Sequence, residues 1–175
     1  MKDVILLTGT PGTGKSTVAK VLSSSTGFKL ISINDVVEED YLYLEEDSRV
    51  VDLNKLPKKV RRMIRGDCII EGHLAHLLGI GGMVIVLRTH PKELKKRLEK
   101  KGFSKKKLEE NLEAEALDVC LIESVERYET VYEIDTTGKE AEYVAGCITR
   151  ILSGDGEEFS PGKISWLEEY LDSRR

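Results

Sequence analysis

Short apolar runs alternate with longer amphipathic stretches along this chain of 175 residues. Five of the runs read as β-strands, at residues 4–7, 28–33, 68–70, 83–87 and 131–134. Helical patterns separate most of them, and continuously apolar strands between helices are typical of a parallel sheet covered on both faces. The pattern therefore predicts an α/β protein whose parallel sheet lies between helical layers.

Two stretches do not fit the alternation of strands and helices that a minimal core would have. Residues 36–56 carry two acidic clusters and lead into a group of basic residues, Lys58, Lys59, Arg61, Arg62 and Arg65. Residues 100–107 form a basic run that contains Gly102. After this run, apolar residues at three- or four-residue spacing predict one long helix through Leu108, Leu112, Ala116, Val119 and Ile122.

The last part of the chain reads as a hinge and a terminal helix. Four turn-forming residues follow Leu152, namely Gly154, Gly156, Pro161 and Gly162. Ile164, Leu167 and Leu171 then recur at helical spacing. We expect a core at residues 1–152, followed by a hinge and a C-terminal helix packed on it at residues 153–175.

Composition narrows the class of protein. Hydrophobic residues make up 40% and charged residues 33%, which suits a single folded domain, and the net charge of −4 does not suit a general polyanion binder. Three widely spaced cysteines without a C-x-x-C pair argue against a disulfide framework or a zinc ribbon. We see no apolar run long enough for a bilayer and no signal peptide, so we expect a cytoplasmic protein without a membrane partner.

The turn after the first strand matches the phosphate-binding pattern G-x-x-x-x-G-K-[ST] at residues 9–16. Its glycines let successive backbone N–H groups point into one concavity, and a helix that begins near Lys15 adds the positive end of its dipole. Lys15 would reach the outer phosphates, and the Ser16 hydroxyl would bind Mg²⁺. We therefore predict an ATP-binding loop formed by Gly12, Thr13, Gly14, Lys15, Ser16 and Thr17.

Glu71 ends the third predicted strand and is the candidate carboxylate that holds Mg²⁺ through a water molecule. The alternative for Glu71 is a solvated strand end. Phosphoryl transfer also needs cations around the transferred group, and Arg97 and Lys101 lie where a mobile basic flap would supply them. For Lys105, Lys106 and Lys107 we favour a solvated helix face.

Two further features each leave two interpretations open. His73 would orient a water molecule or sense the γ-phosphate in a hydrolase, or it would simply form a hydrogen bond in the cleft. His76 follows three residues later, but no third ligand at a suitable spacing supports a metal site. Residues 136–138 would either lie beside adenine or cap a helix, with Thr137 and Glu140 as a capping box.

These residues resemble the small nucleoside monophosphate kinases of the adenylate kinase type, and most closely the adenylate kinase isoenzyme 6 family, also called coilin-interacting nuclear ATPases. The resemblance covers most of the chain, from residue 4 to about residue 151. It rests on LLTGTPGTGKS at 6–16, EGH at 71–73, VLRT at 86–89, RLE at 97–99, GF at 102–103, KKL at 106–108 and NLEAE at 111–115.

The resemblance implies a three-layer P-loop NTPase fold with a five-stranded parallel sheet. It places an AMP-binding segment at about residues 32–51 and a short lid at about residues 100–110. It also implies adenylate kinase and ATPase activity with Mg²⁺, and a role in maturing the small ribosomal subunit through a platform ribosomal protein next to the rRNA.

Several positions depart from the family pattern. Glu71 stands where eukaryotic members carry Asp, and Lys101 stands where the lid often carries Arg. Glu38 occupies a place where an Arg near AMP would be expected, and the Arg that follows the third strand in ordinary adenylate kinases is missing from residues 72–76. These departures bear on the acceptor site rather than on the ATP site.

We therefore predict transfer of the γ-phosphoryl group of Mg·ATP to AMP, with Lys15, Glu71, His73 and Arg97 as catalytic residues and Lys101 closing over the phosphates. One alternative is a nucleotide-switched ribosome assembly factor with a vestigial acceptor site. Another is a kinase that acts on a small metabolite such as shikimate or a nucleoside.

Overall fold

The computed structural model describes residues 3–38, 43–45, 48–50 and 52–173, with backbone only for residues 43–45 and 48–50. Its strands are β1 (Val4–Thr8), β2 (Lys29–Ser32), β3 (Tyr43–Glu45), β4 (Ser48–Val50), β5 (Cys68–Glu71), β6 (Met83–Arg88) and β7 (Val131–Asp135). Its helices are α1 (Lys15–Thr26), α2 (Ile33–Glu38), α3 (Leu56–Met63), α4 (Pro91–Lys100), α5 (Lys105–Ala116), α6 (Val119–Val125), α7 (Ala141–Leu152) and α8 (Leu167–Asp172).

The five strands of the main sheet lie in the order β2-β5-β1-β6-β7, and all neighbouring strands are parallel. Helices cover both faces. Residues of α2, α3 and α6 join one buried cluster on the sheet, and residues of α1 and α7 join the other. Side chains of β1 alternate between the two clusters, as Leu6 does relative to Ile5 and Leu7, because successive residues of a strand point to opposite faces. The predicted three-layer α/β fold with a five-stranded parallel sheet is confirmed.

The strand order brings the predicted functional segments to one edge of the sheet. β1 lies at the centre, between β5 and β6, and the glycine-rich loop follows it. Leu7 pairs with Glu71 of β5, and Arg88 of β6 pairs with Asp135 of β7. The carboxyl ends of four strands therefore surround this loop, as is usual for ligand sites in open α/β sheets.

A helical hairpin occupies the predicted lid region. α4 ends at Lys100, and Gly102 has a φ of 76°, the left-handed conformation common after helix ends. Ser104 then caps α5 by accepting a hydrogen bond from the backbone N–H of Lys107. Leu94 and Leu98 of α4 pack with leucines of α5 in a separate cluster.

The single long helix predicted after the basic run is wrong. α5 ends at Ala116 and α6 begins at Val119, because Asp118 adopts a positive φ of 56° between them. The carboxylate of Asp118 accepts a hydrogen bond from the guanidinium of Arg88. This ion pair holds a conformation that a continuous helix does not allow, and it leaves Val119 and Ile122 exposed.

The region predicted to bind AMP contains α2 and the antiparallel pair of β3 and β4. Residues 39–42, 46, 47 and 51 of this region lie outside the described residues. At the other end of the chain, Tyr170 of α8 packs against the cluster of α4 and α5, whereas the predicted apolar residues Leu167 and Leu171 are exposed. No helix within the described ranges is long and apolar enough to cross a membrane.

Candidate active site

The glycine-rich loop joins β1 to α1 at the centre of the sheet edge. Gly12 has a φ of +94°, and a Cβ atom there would lie 2.8 Å from Leu94 and 2.9 Å from Leu98. Gly14 also has a φ of +94°, but a Cβ atom at that position would have no neighbour within 4 Å. Both positions favour glycine for its conformation, and Gly12 needs it for space as well. The leucines of α4 therefore form a wall against the loop.

The N-terminus of α1 offers backbone donors to an anion. The N-cap residue is Gly14, which has no side chain that could cap the helix, and the first turn carries no acidic residue. The first N–H groups of a helix have no partner within the helix, and its dipole favours negative charge. Ser16 and Thr17, in this first turn, are exposed. This terminus can accept a phosphate group.

Lys15 lies folded back under the loop. Its Nζ atom donates hydrogen bonds to the backbone oxygens of Gly9, at 2.8 Å, and Thr10, at 2.9 Å. Burial lowers the pKa of Lys15 to about 8, although acidic groups nearby, including Glu71 and Glu115, act in the opposite direction. The buried ammonium group is short of negative partners, so phosphate oxygens would relieve an electrostatic cost.

Ser16 and Glu71 present adjacent oxygen atoms beside the loop. The Ser16 hydroxyl donates a hydrogen bond of 3.2 Å to Oε2 of Glu71, whose side chain is buried. A hydroxyl and a carboxylate are hard donors that suit Mg²⁺, which commonly takes only one or two protein ligands and completes its shell with phosphates and water. The pair therefore fits Mg²⁺. No cluster of three or more metal-binding side chains occurs among the residues that the structure describes.

Arg97 connects the phosphate loop to the loop after β7. Its Nη1 atom lies 3.5 Å from the backbone oxygen of Gly12, and its Nη2 atom donates to the backbone oxygen of Thr136 at 3.2 Å. Glu93 accepts from its Nε atom at 3.1 Å. Lys101 is exposed in the turn between α4 and α5, and its charge contributes to the lowered pKa of Lys15. Both predicted cations thus lie near the phosphate loop.

The loop at residues 136–138 contacts the phosphate loop directly. The Thr136 hydroxyl lies 3.2 Å from the backbone oxygen of Thr13 and 2.9 Å from that of Arg88. The predicted capping box at Thr137 is wrong, because Glu140 is the N-cap of α7 and Thr137 donates to Asp135 instead. The loop therefore lies against the phosphate loop.

His73 lies two residues beyond Glu71 and is exposed at the cleft. Desolvation by surrounding protein atoms, followed by the charges of Lys15, His76 and Lys107, lowers its pKa. An imidazole with a lowered pKa is neutral near pH 7 and can accept a hydrogen bond from water. Lys107 is only partly exposed and acts on His73, whereas Lys105 and Lys106 are exposed as expected.

His76 belongs to a buried chain of hydrogen bonds. Its Nδ1 atom lies 2.6 Å from the Thr8 hydroxyl, and its Nε2 atom lies 2.8 Å from Oε2 of Glu123. The Thr8 hydroxyl also lies 3.5 Å from the backbone oxygen of His73. Both ring nitrogens of His76 are thus engaged, and the residue ties α6 to the end of β1.

Sequence reasoning missed a buried ionic network beside the phosphate loop. Arg88 is 1% exposed, and its guanidinium donates to Glu115, Glu133 and Asp118. Glu115 also accepts a hydrogen bond of 2.5 Å from the Thr10 hydroxyl. Two signals were available: Arg88 ends an apolar strand, and Glu115 lies on the face of α5 that carries Leu108 and Leu112.

Comparisons with known proteins agree with this geometry. A family model described as "AAA domain" matches residues 5–118, more than half of the chain. A protein of Methanosarcina acetivorans named "Putative adenylate kinase" is 43% identical over 94% of this chain and 98% of its own length. A protein of the same name from Methanocaldococcus jannaschii is 41% identical over 96% of this chain and 95% of its own length.

Solved structures share the fold at low sequence identity. Shikimate kinase from Acinetobacter baumannii, in complex with shikimate, superposes with a TM-score of 0.66 at 14% identity, over 89% of this chain and 94% of its own. Shikimate kinase from Bacteroides thetaiotaomicron gives a TM-score of 0.59 at 16% identity, over 87% and 99%. These likenesses concern the fold alone. From the family model and the archaeal relatives, the chain belongs to the P-loop kinase family, together with the archaeal proteins named "Putative adenylate kinase".

Proposed function

We propose that this protein is an adenylate kinase that transfers the γ-phosphoryl group of Mg·ATP to AMP. The observation that carries the proposal is the buried Lys15 ammonium group under a helix N-terminus whose first turn has no acidic residue or side-chain cap. This arrangement suits a polyphosphate tail. The relatives of similar length that are named "Putative adenylate kinase" support ATP and AMP as the substrates.

In this mechanism the chain positions the phosphates and balances their charge, because phosphoryl transfer needs little other help from a protein. Backbone N–H groups of residues 12–17 hold the β-phosphate. Lys15 exchanges its contacts with Gly9 and Thr10 for phosphate oxygens. Arg97 and Lys101 close from the side of α4 and exclude water. Ser16 would hold Mg²⁺ directly and Glu71 through water, and the ion would supply positive charge to the phosphate oxygens.

The proposed reaction also needs an acceptor site and a lid. AMP would bind between the sheet edge and the segment at about residues 32–51, and residues 100–110 would form the lid. The short turn at Gly102 between α4 and α5 would give a small lid. Thr136 contacts both Arg97 and Thr13, and its loop would lie beside the adenine of ATP.

His73 favours a second candidate, a nucleotide-switched ATPase of the adenylate kinase isoenzyme 6 type. A kinase has little use for a base there, because AMP phosphate needs no deprotonation. A neutral imidazole at the cleft can orient an attacking water molecule, and the lowered pKa of His73 favours that form at neutral pH. In this reading the protein acts on a small-subunit ribosomal protein and adjacent rRNA, with the acceptor site secondary.

A turnover assay distinguishes the candidates. The purified protein is incubated with Mg·ATP and, in separate reactions, AMP, CMP, UMP, shikimate or no acceptor, and ADP and free phosphate are both measured. The proposal predicts rapid ADP formation with AMP and slow phosphate release without it. Phosphate release at the same rate in every reaction would support the ATPase, and ADP formation with shikimate alone would support a metabolite kinase. Lys15→Ala serves as the control for contaminating enzymes, since it removes the central cation from every candidate mechanism.

A further inference from the structure

A side chain of the hairpin helix α5 holds the phosphate loop in place. Glu115, near the end of this helix, accepts a hydrogen bond of 2.5 Å from the hydroxyl of Thr10. Both residues are 2% exposed. Hydrogen bonds to a buried carboxylate are among the strong ones, because the acceptor carries a full charge in a region of low dielectric constant. The contact therefore fixes the first residue after Gly9.

Thr10 accepts several of the hydrogen bonds that hold the phosphate loop together. Its backbone oxygen accepts hydrogen bonds from the Thr13 N–H at 3.3 Å, the Thr13 hydroxyl at 2.9 Å and Lys15 Nζ at 2.9 Å. A displacement of Thr10 would therefore move both the bend of the loop and the lysine under it. Glu115 therefore influences the phosphate-binding groups through its hydrogen bond with Thr10.

Glu115 is itself held by two donors that lie outside the phosphate loop. Its Oε1 atom accepts hydrogen bonds from Arg88 Nε at 2.9 Å and from the backbone N–H of Thr89 at 3.0 Å. Its Oε2 atom is left for Thr10. Arg88 is further bound at 3.2 Å to Glu133, whose other oxygen accepts from the backbone N–H groups of Lys163 and Ile164. Both carboxylate oxygens of Glu115 thus have hydrogen-bond donors, and these fix the orientation of the carboxylate.

We propose that Glu115 is a positioning residue that, through Thr10, sets the shape of the phosphate loop for nucleotide binding. The proposal rests on the proposed function of that loop. It also makes the helix after the lid part of the nucleotide site, because α5 carries Glu115 at its end and begins at the lid turn. The loop then has three supports: Glu115 at Thr10, Arg97 at Gly12, and Thr136 at Thr13.

The test removes the Thr10 hydroxyl without changing the shape of the side chain. Thr10→Val is close in volume and leaves Glu115 Oε2 without its donor. Thr10→Ser keeps the hydroxyl. Binding of Mg·ADP is measured by calorimetry, and steady-state kinetics give KM for ATP, KM for AMP and kcat. We expect Thr10→Val to weaken Mg·ADP binding about tenfold, a loss of about 1.4 kcal/mol, with KM for AMP unchanged and binding restored in Thr10→Ser.

Thr26→Val is the matched control. Thr26 lies at the end of α1 away from the phosphate loop, and its hydroxyl donates a hydrogen bond of 2.7 Å to the backbone oxygen of Leu22. We expect Thr26→Val to lower the melting temperature and to leave Mg·ADP affinity within about twofold of wild type. Glu115→Gln provides a second test if Thr10→Val does not fold, because its amide keeps the shape of the side chain but removes the charge that the Thr10 hydroxyl binds.

The outcomes are distinguishable. Equal losses of affinity in Thr10→Val and Thr26→Val would show a general structural effect and overturn the positioning role. Wild-type affinity in Thr10→Val and Glu115→Gln would overturn it as well. An absence of Mg·ADP binding to the wild-type protein would instead contradict the proposed function, which separates the two failures.

Discussion

The Ser16 hydroxyl and the Glu71 carboxylate lie 3.2 Å apart at the ends of two elements that neighbouring strands bring together. Ser16 lies in the first turn of α1 after β1, Glu71 ends β5, and Leu7 and Glu71 pair in the parallel register between these strands. The sheet therefore fixes the distance between the two oxygen donors before any ligand binds. We therefore predict that Ser16 and Glu71 hold the magnesium ion.

Replacing Glu71 tests that site. We expect Glu71→Gln to lower kcat by about 10- to 100-fold, the usual cost of losing a side chain that orients a metal ligand. The amide keeps the shape of the side chain, so the melting temperature should change little. The measurement is kcat as a function of Mg²⁺ concentration, and we expect the half-saturating concentration to rise. An unchanged magnesium dependence would contradict the assignment of Glu71.

Alanine substitutions at Gly12 and Gly14 test how tightly Leu94 and Leu98 pack against the phosphate loop. Both have a φ of +94°, so alanine is strained at either position, but only at Gly12 would a Cβ atom meet Leu94 and Leu98. We expect Gly12→Ala to lower the free energy of unfolding by about 1–3 kcal/mol more than Gly14→Ala, the usual cost of overpacking. Urea denaturation measures both. Equal losses would show that the leucines move aside without cost.

The lowered pKa of Lys15 predicts how binding depends on pH. With a pKa of about 8, Lys15 loses its proton in the free protein as the pH rises through 8, whereas bound phosphate favours the charged form. Affinity for Mg·ADP should therefore be constant near pH 7 and fall above pH 8. Lys15→Arg keeps its charge throughout and should bind more weakly with a flat profile. A flat profile in the wild type would contradict the assignment.

The same shift affects the stability of the free protein. The pKa of Lys15 is depressed from 10.5 to about 8, so between these values the unfolded chain binds more protons than the folded one. This group therefore contributes an unfolding free energy that rises as the pH increases from 8 to 10.5. The contribution is measured as the difference between wild type and Lys15→Met in urea denaturation at several pH values. A difference that does not change over this range would contradict the burial of a charged amine.

His73 separates hydrolysis from transfer. We expect His73→Ala to lower ATP hydrolysis without acceptor by at least about tenfold, because it removes a group that orients water, and to lower transfer to AMP by less than about threefold. Because its pKa is lowered to about 4, His73 is still neutral at about pH 6, so wild-type hydrolysis should not fall as the pH drops from about 7 to about 6. Equal losses of the two activities in His73→Ala would contradict the assigned role.

The fold and the loop could be predicted from the sequence because they rest on local patterns. Apolar runs located the strands of the sheet to within two residues, and the spacing of Gly9, Gly14, Lys15 and Ser16 located the phosphate loop. The break between α5 and α6 could not be predicted, since it depends on a contact between Asp118 and Arg88, which lie 30 residues apart. The role of Glu115 was hidden for the same reason, because its partners Thr10 and Arg88 come from distant parts of the chain.

The proposed function depends on the binding of a magnesium nucleotide's phosphates by residues 9–16. Calorimetric titration of the purified, folded protein with Mg·ATP, next to Lys15→Ala under the same conditions, tests it most directly. We expect saturable binding with one site in the wild type and none in Lys15→Ala. No measurable binding to the wild type, or equal binding to both proteins, would contradict it.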